Sequence, residues 1–233
     1  MPLNKSQGNM YDWSATWNPL AGKCPHNCSY CYVPSVVGGK EALKEKYSGK
    51  ARLYEKELKT KLTGVGKDQV IFVCNMIDMF AEDVTNNAVM NILDHCKKYS
   101  ENTYLFQSKN PGRMLEFIGH FPTNVIFGTT IESNRNYFLS DAPGVWERIH
   151  KMKDLKDSSK RPVMVSIEPI LDFDVDVFSS WFIYLDPDFV SIGADSKKNR
   201  LPEPASYKLN EFVSILKANN IEIREKKNLG RLM

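Results

Sequence analysis

The chain has 233 residues, enough for one large core, with 42% hydrophobic and 25% charged residues as in ordinary globular proteins. Its formal net charge of +3 permits a polyanionic partner without demanding one. No apolar run reaches the roughly 18 residues of a membrane-spanning helix, and residues 1–12 are too polar for a signal peptide, so a cytoplasmic protein without a membrane partner is expected.

Taken in chain order, a first short strand is expected near 15–17. Leu43, Tyr47, Ala51, Tyr54, Leu58 and Leu62 then recur at helical steps, with Gly49 weakening the first half. Short apolar runs at 70–74, 103–106, 125–130, 163–167 and 189–192 read as parallel strands covered on both faces. Between them, Asp83 is a candidate cap for a helix carrying Val89, Leu93 and Cys96, and Asn110 with Pro111 forms a strong helix start. Further helical patterns occupy 142–155 and 207–218, and 221–224 is a candidate last strand. Strand–helix alternation implies right-handed crossovers and a parallel sheet. About six such units are too few for a closed eight-stranded barrel. The expected fold is therefore α/β, a partial (β/α)6 barrel with parallel strands, in a single domain spanning residues 1–233.

In such folds the site lies at the C-terminal ends of the strands. The polar residues there are Asn75 and Asp78, Gln107 and Ser108, Thr129 to Glu132, Glu168, and Gly193 to Arg200. Glu168 ends an apolar strand just before Pro169. A carboxylate so placed needs a basic partner or a ligand. Ser166, two residues earlier, shares its face.

Three of the five cysteines fall within eight residues, Cys24-Pro25-His26-Asn27-Cys28-Ser29-Tyr30-Cys31. An odd count and tight grouping argue for metal ligands over a disulfide framework. Thiolates are the ligands of iron–sulfur clusters, and three of them leave one iron of a [4Fe–4S] cube open. The alternative is a zinc site, with His26, His95, Cys74 or Cys96 as fourth ligand, in a zinc-stabilised nucleic-acid or protein binding module. Against it, no second cysteine pair is present.

The C-x3-C-x2-C spacing, with aromatic Tyr30 before the last cysteine, resembles the motif of the radical S-adenosylmethionine (SAM) superfamily, in the loop (18–38) where that superfamily carries it. Trp17-Asn18-Pro19 and Ser166-Ile167-Glu168-Pro169-Ile170 resemble a small phage-associated group within it. The resemblance implies a [4Fe–4S] cluster on Cys24, Cys28 and Cys31, SAM on the open iron, and Tyr30 against the adenine. It implies reductive cleavage of SAM to a 5′-deoxyadenosyl radical that abstracts hydrogen from a substrate, and an electron donor of flavodoxin or ferredoxin type. The superfamily's Gly-Gly-Glu-like segment after the second strand is replaced here by Asn75-Met76-Ile77-Asp78, so Asn75 and Asp78 become the candidate acceptors for SAM. Thr129, Thr130 and Glu132 are candidates for its ribose or sulfonium side, beside Ser166 and Glu168.

Cys74 is a candidate hydrogen-atom donor, against the alternative of a buried apolar residue. Arg135, Lys197, Lys198 and Arg200 are candidate substrate contacts, with Tyr137 and Phe138 as stacking candidates. The expected substrate is a nucleotide or nucleic acid, with a peptide side chain or small metabolite as the alternative.

Overall fold

The apolar runs become strands because helices cover one face and the barrel's own interior covers the other, so almost no position along them meets water. The computed structural model describes residues 3–5, 11, 13–66, 69–197 and 199–233. The strands are β1 (Asn4–Lys5), β2 (Ser14–Trp17), β3 (Leu20–Ala21), β4 (Arg52–Leu53), β5 (Val70–Val73), β6 (Tyr104–Gln107), β7 (Val125–Thr130), β8 (Val163–Ile167), β9 (Phe189–Ile192) and β10 (Glu222–Glu225). The helices are α1 (Val33–Val37), α2 (Glu41–Lys46), α3 (Asn86–Lys97), α4 (Pro111–Glu116), α5 (Val145–Ser159), α6 (Val175–Leu185) and α7 (Ser206–Ala218).

The main sheet runs β1-β2-β5-β6-β7-β8-β9-β10. All its pairings are parallel except β1 with β2. The fold is thus the expected α/β partial barrel, with β10 added as a seventh parallel strand. Among the described residues no helix is long and apolar enough to cross a membrane.

Alternation along the strands splits the core in two. Ile71, Val73, Tyr104, Phe106, Phe127, Val163, Val165, Val190 and Ile192 pack against the helices. Val70, Phe72, Leu105, Met164 and Phe189 face inward with Tyr11. Further along, the inner face turns polar: Thr130, Ser166, Ser191 and Arg224 form one in-register row across β7 to β10. A polar floor at the C-terminal ends of a parallel sheet is the usual place for a ligand.

Three sequence expectations need correction. The period from Leu43 to Leu62 is not one helix: α2 ends at Lys46, Gly49 takes φ 74°, β4 follows, and 55–59 is a 3-10 turn. The apolar spacing there serves the antiparallel β3–β4 pair and the segments around it, packed on the barrel. The cap of α3 is Thr85, whose hydroxyl accepts from the Ala88 N–H, rather than Asp83. Finally, α6 was not apparent: VDVFSSWFIYL is mostly apolar and rich in β-branched and aromatic residues, and such a run does not by itself separate helix from strand, although Phe178, Trp181, Phe182 and Leu185 do fall on one buried face. It is held by an aromatic cluster in which Phe178 stacks on Phe212 at 4.9 Å and meets Phe182 edge-on at 5.0 Å. Such pairs contribute about 0.5–1.5 kcal/mol each beyond their burial.

Candidate functional site

The cysteine loop leaves β3 through Gly22, whose φ of 101° and tight fit both require glycine. A Cβ there would lie 2.1 Å from the Lys50 carbonyl oxygen. Two turns follow, with Cys31 N–H donating to the Cys28 carbonyl at 3.1 Å and Asn27 in the left-handed region at φ 46°. Cys24, Cys28 and Cys31 are free thiols of intermediate burial. The loop is sewn to the β7–α5 connection: Ser29 N–H donates to the Leu139 carbonyl and Asp141 N–H to the His26 carbonyl, both at 2.9 Å.

Two buried carboxylates, from the ends of the two strands that flank β6, hold this loop. The first is Asp78, beyond β5. Its Oδ2 meets His26 Nε2 at 2.9 Å, Ser108 Oγ at 2.9 Å and the Lys109 N–H at 2.8 Å, while Oδ1 accepts from the Phe80 N–H at 3.0 Å. Burial alone would raise its pKa, but His26 and these donors hold it below the usual carboxylate range. The second is Glu132, beyond β7. Its Oε1 lies 2.7 Å from Lys109 Nζ and its Oε2 3.0 Å from Arg148 Nη1, and the Tyr30 hydroxyl also donates to it. Burial acts to raise this carboxyl as well, yet Lys109 and Arg148 bring it down to about 2. Lys109 Nζ also reaches the Tyr30 hydroxyl at 2.7 Å. Lys109 thus contacts both latches, through its backbone and through its side chain.

A third tie joins the segments before and after the loop. Asn18 donates to Asn75 Oδ1 at 2.8 Å and accepts from the Met76 N–H at 3.1 Å, while Asn75 Nδ2 donates to the Tyr32 hydroxyl at 3.0 Å.

The thiols themselves sit in mixed fields. Burial and the charge of Asp78 push Cys24 up to about 12, although the Asp78 N–H donates to its sulfur at 3.5 Å. Burial raises Cys28 too, while the nearby Lys109 and Arg148 oppose the rise. Metal binding must therefore displace protons from these thiols. Among the described residues no group of three His, Cys, Asp or Glu side chains is gathered to share one metal ion. Of the candidate fourth ligands, His26 Nε2 meets Asp78, His95 Nε2 meets the Thr60 carbonyl at 2.9 Å, and Cys74 and Cys96 pack in the core.

The other predicted residues divide by strand parity. Thr130 and Ser166 lie on the polar inner face, whereas Thr129 faces the helices and donates its hydroxyl to the Ser108 carbonyl at 2.8 Å. Thr130 accepts from Gln107 Nε2 at 3.0 Å, and Gln107 Oε1 in turn accepts from the Tyr11 hydroxyl at 2.9 Å. Glu168 pairs with Lys226 at 3.4 Å, and Lys226 Nζ lies 4.0 Å from the centre of the Tyr11 ring. Cys74, at φ 60°, is 4% exposed and packs in the helix-side core. Arg135 is bound to Asp172 and Asp174. Lys197 and Arg200 are exposed on the β9–α7 connection, and Lys198 lies outside the described residues.

Sequence reasoning missed Lys109, Arg148, Lys226 and Tyr11, and considered His26 only as a zinc ligand. Lys109 follows directly on the rim residue Ser108, a signal that was available. Arg148 carried the weaker one of a cation adjoining the apolar positions of α5.

The same fold recurs in solved structures of low sequence identity. Spore photoproduct lyase superposes with a TM-score of 0.65 at 9% identity, covering 97% of this chain and 78% of the lyase. A lyase structure with bound AdoMet and dinucleoside spore photoproduct gives 0.63 at 9% identity, covering 97% and 79%. Streptococcus suis SuiB bound to S-adenosylmethionine gives 0.54 at 10% identity, covering 91% and 46%. A comparison with curated proteins returns no match. Residues 9–205 match the family described as protein of unknown function (DUF5131), and the chain belongs to that family.

Proposed function

We propose that this protein is a radical SAM enzyme that acts on a nucleotide or nucleic acid. The observation that carries the reading is the free Cys24, Cys28 and Cys31 triplet on the loop that follows the first parallel strand of a partial barrel. Two proteins with that barrel bind S-adenosylmethionine in their own structures, which supports the cofactor assignment.

The donor set fits a [4Fe–4S] cluster. Thiolates on such a cluster each bind a different iron and need not converge on one point. Of the residues that would complete a zinc site, Cys74 and Cys96 are buried in the core and His95 Nε2 meets the Thr60 carbonyl. When bound, the reduced cluster supplies the electron that cleaves SAM to methionine and a 5′-deoxyadenosyl radical, which abstracts hydrogen from the substrate.

The chain's own residues orient and shield. Asp78 and Glu132 hold the cysteine loop at fixed height over the sheet, through His26 and Tyr30 respectively. With its hydroxyl clamped, Tyr30 presents a fixed ring face beside the cysteines, suited to an adenine. Thr130 and Ser166 offer hydroxyls from the inner face for a ribose, and Glu168 with Lys226 sets a charged pair at the same end. Asn75, the candidate acceptor for the amino group of SAM, lies against the loop through Tyr32 and Asn18. The nucleic-acid assignment draws support from the dinucleoside ligand of the lyase structure and from the basic residues of the β9–α7 connection.

The test is anaerobic reconstitution with iron and sulfide, reduction, addition of SAM and chromatography for 5′-deoxyadenosine. Its formation, and its loss in Cys28→Ala, is the expected result. A colourless protein that binds stoichiometric zinc and forms no 5′-deoxyadenosine would overturn the reading.

A further inference from the structure

The loops at the C-terminal ends of the strands are tied into one arc. From the cysteine loop, Ser29 binds Leu139 in the β7–α5 connection. That connection is fixed to the β8–α6 loop through Arg135 with Asp172 and Asp174, Tyr137 Oη with the Asp172 carbonyl at 2.9 Å, and the Leu171 N–H with the Glu132 carbonyl at 2.9 Å. The β8–α6 loop meets the β9–α7 connection where the Asp172 N–H donates to the Pro202 carbonyl at 2.6 Å. The last connection is closed on itself and on the C-terminal turn. Asp195 accepts from the Lys197 N–H at 3.0 Å and from Asn199 Nδ2 at 2.7 Å, and Glu203 accepts from the Asp195 N–H at 2.8 Å and from Arg231 Nη1 at 2.6 Å.

This lacing has an electrostatic consequence. Asp172, Asp174, Asp195 and Glu203 are all occupied by partners within the arc. Lys197 and Arg200, both exposed, have no ion-pair partner among the described residues. Near the other end stands Phe138, 85% exposed at φ 52°, on a segment braced on both sides by the contacts of Arg135, Tyr137 and Leu139. Among the described residues the Phe138 ring has no aromatic or cation partner, and its 85% exposure leaves it accessible for stacking.

We propose that this arc is a track for a single-stranded or locally unpaired polynucleotide, with Phe138 stacking on an unpaired base and Lys197 and Arg200 on backbone phosphates. The pairing of an open aromatic face with uncompensated cations fits single strands, whose bases offer their faces, over a duplex, whose bases are already stacked. The proposal deepens the nucleic-acid assignment above and rests on it for the chemistry, while binding itself needs no cluster.

The experiment is fluorescence anisotropy of the full chain with a short labelled oligothymidine, across a salt series, against an unlabelled duplex and polyglutamate as competitors. Phe138→Ala is expected to weaken binding on the order of tenfold, and Phe138→Tyr to restore it. Lys197→Ala with Arg200→Ala should flatten the slope of log K against log salt by about 1.4, two contacts at roughly 0.7 each. These residues are exposed, so coincident thermal unfolding curves will show that the variants fold. Absence of binding at low salt, equal competition by duplex or polyglutamate, or variants indistinguishable from the parent would each overturn the track. SAM cleavage without strand binding would remove the track alone, and strand binding without SAM cleavage would remove the reaction and leave the track.

Discussion

His26 Nε2 and Asp78 Oδ2 are 2.9 Å apart, joining the middle of the cysteine loop to the end of the neighbouring strand across 52 residues of sequence. Both side chains are almost fully shielded. Asp78 therefore ties the cysteine loop to the strand end through His26. Asp78→Ala would leave the Ser108 hydroxyl, the Lys109 N–H and His26 without their acceptor. Unpaired buried donors cost about 1–3 kcal/mol each. The thermal midpoint of the metal-free protein should fall by several degrees, since about 2–4 °C is lost per kcal/mol at this size. An unchanged midpoint would show that the carboxylate is dispensable to the loop.

Glu132 makes the stronger case, because it faces two cations and Tyr30 together. Replacing it with Ala strands Lys109 and Arg148, and breaking a buried pair in this way costs about 3–5 kcal/mol. Urea unfolding of Glu132→Ala against the parent measures it. The sign with pH follows from the depressed carboxyl. With a folded pKa of about 2 against an ordinary 4.5, its contribution is fully present above 4.5 and is lost as pH falls toward 2. Glu132→Gln should flatten that part of the stability profile. A profile that keeps its full acid limb in the variant would assign the limb to other carboxylates.

The two latches mark where the sequence stops being readable. The strands were legible because a strand buried on both faces must be apolar along its whole length. The cysteine triplet is legible as a motif because its spacing is local. Asp78–His26 and Tyr30–Glu132 join residues 52 and 102 positions apart, so no local pattern encodes them. Thr129 and Thr130 illustrate the same limit at finer scale: adjacent and chemically alike, they point to opposite faces of β7 by the two-residue period. The misread helix at 43–62 failed for a related reason, since apolar spacing set by packing around the β3–β4 pair imitated the helical period until Gly49 broke it.

Gly22 tests how closely the cysteine loop depends on the β3–β4 pair. Gly22→Ala would drive a Cβ into the backbone of Lys50 and Ala51, 2.1 to 2.7 Å away, at a φ that L-residues rarely adopt. Backbone rather than a flexible side chain blocks it, so relief requires moving the paired strands β3 and β4. A loss of at least about 1–3 kcal/mol is expected, together with lower iron content after reconstitution. Gly230→Ala, where nothing lies within 4 Å, is the control and should change neither quantity.

The ligand set is tested by comparing cysteines of different surroundings. Cys24→Ala, Cys28→Ala and Cys31→Ala should each abolish the cluster's visible absorbance after anaerobic reconstitution, along with 5′-deoxyadenosine formation. Cys96, fully buried on the helix-side core, should keep both when changed to Ala, at a stability cost of about 1–2 kcal/mol from the small cavity. Cys74→Ala separates two roles. As a core residue it should lower stability and leave the absorbance intact, whereas a hydrogen donor would also lose product while SAM cleavage continues. Because Cys74 packs in the helix-side core rather than on the polar inner face, the first outcome is expected. Loss of the cluster in Cys96→Ala would show that the ligands had been wrongly assigned.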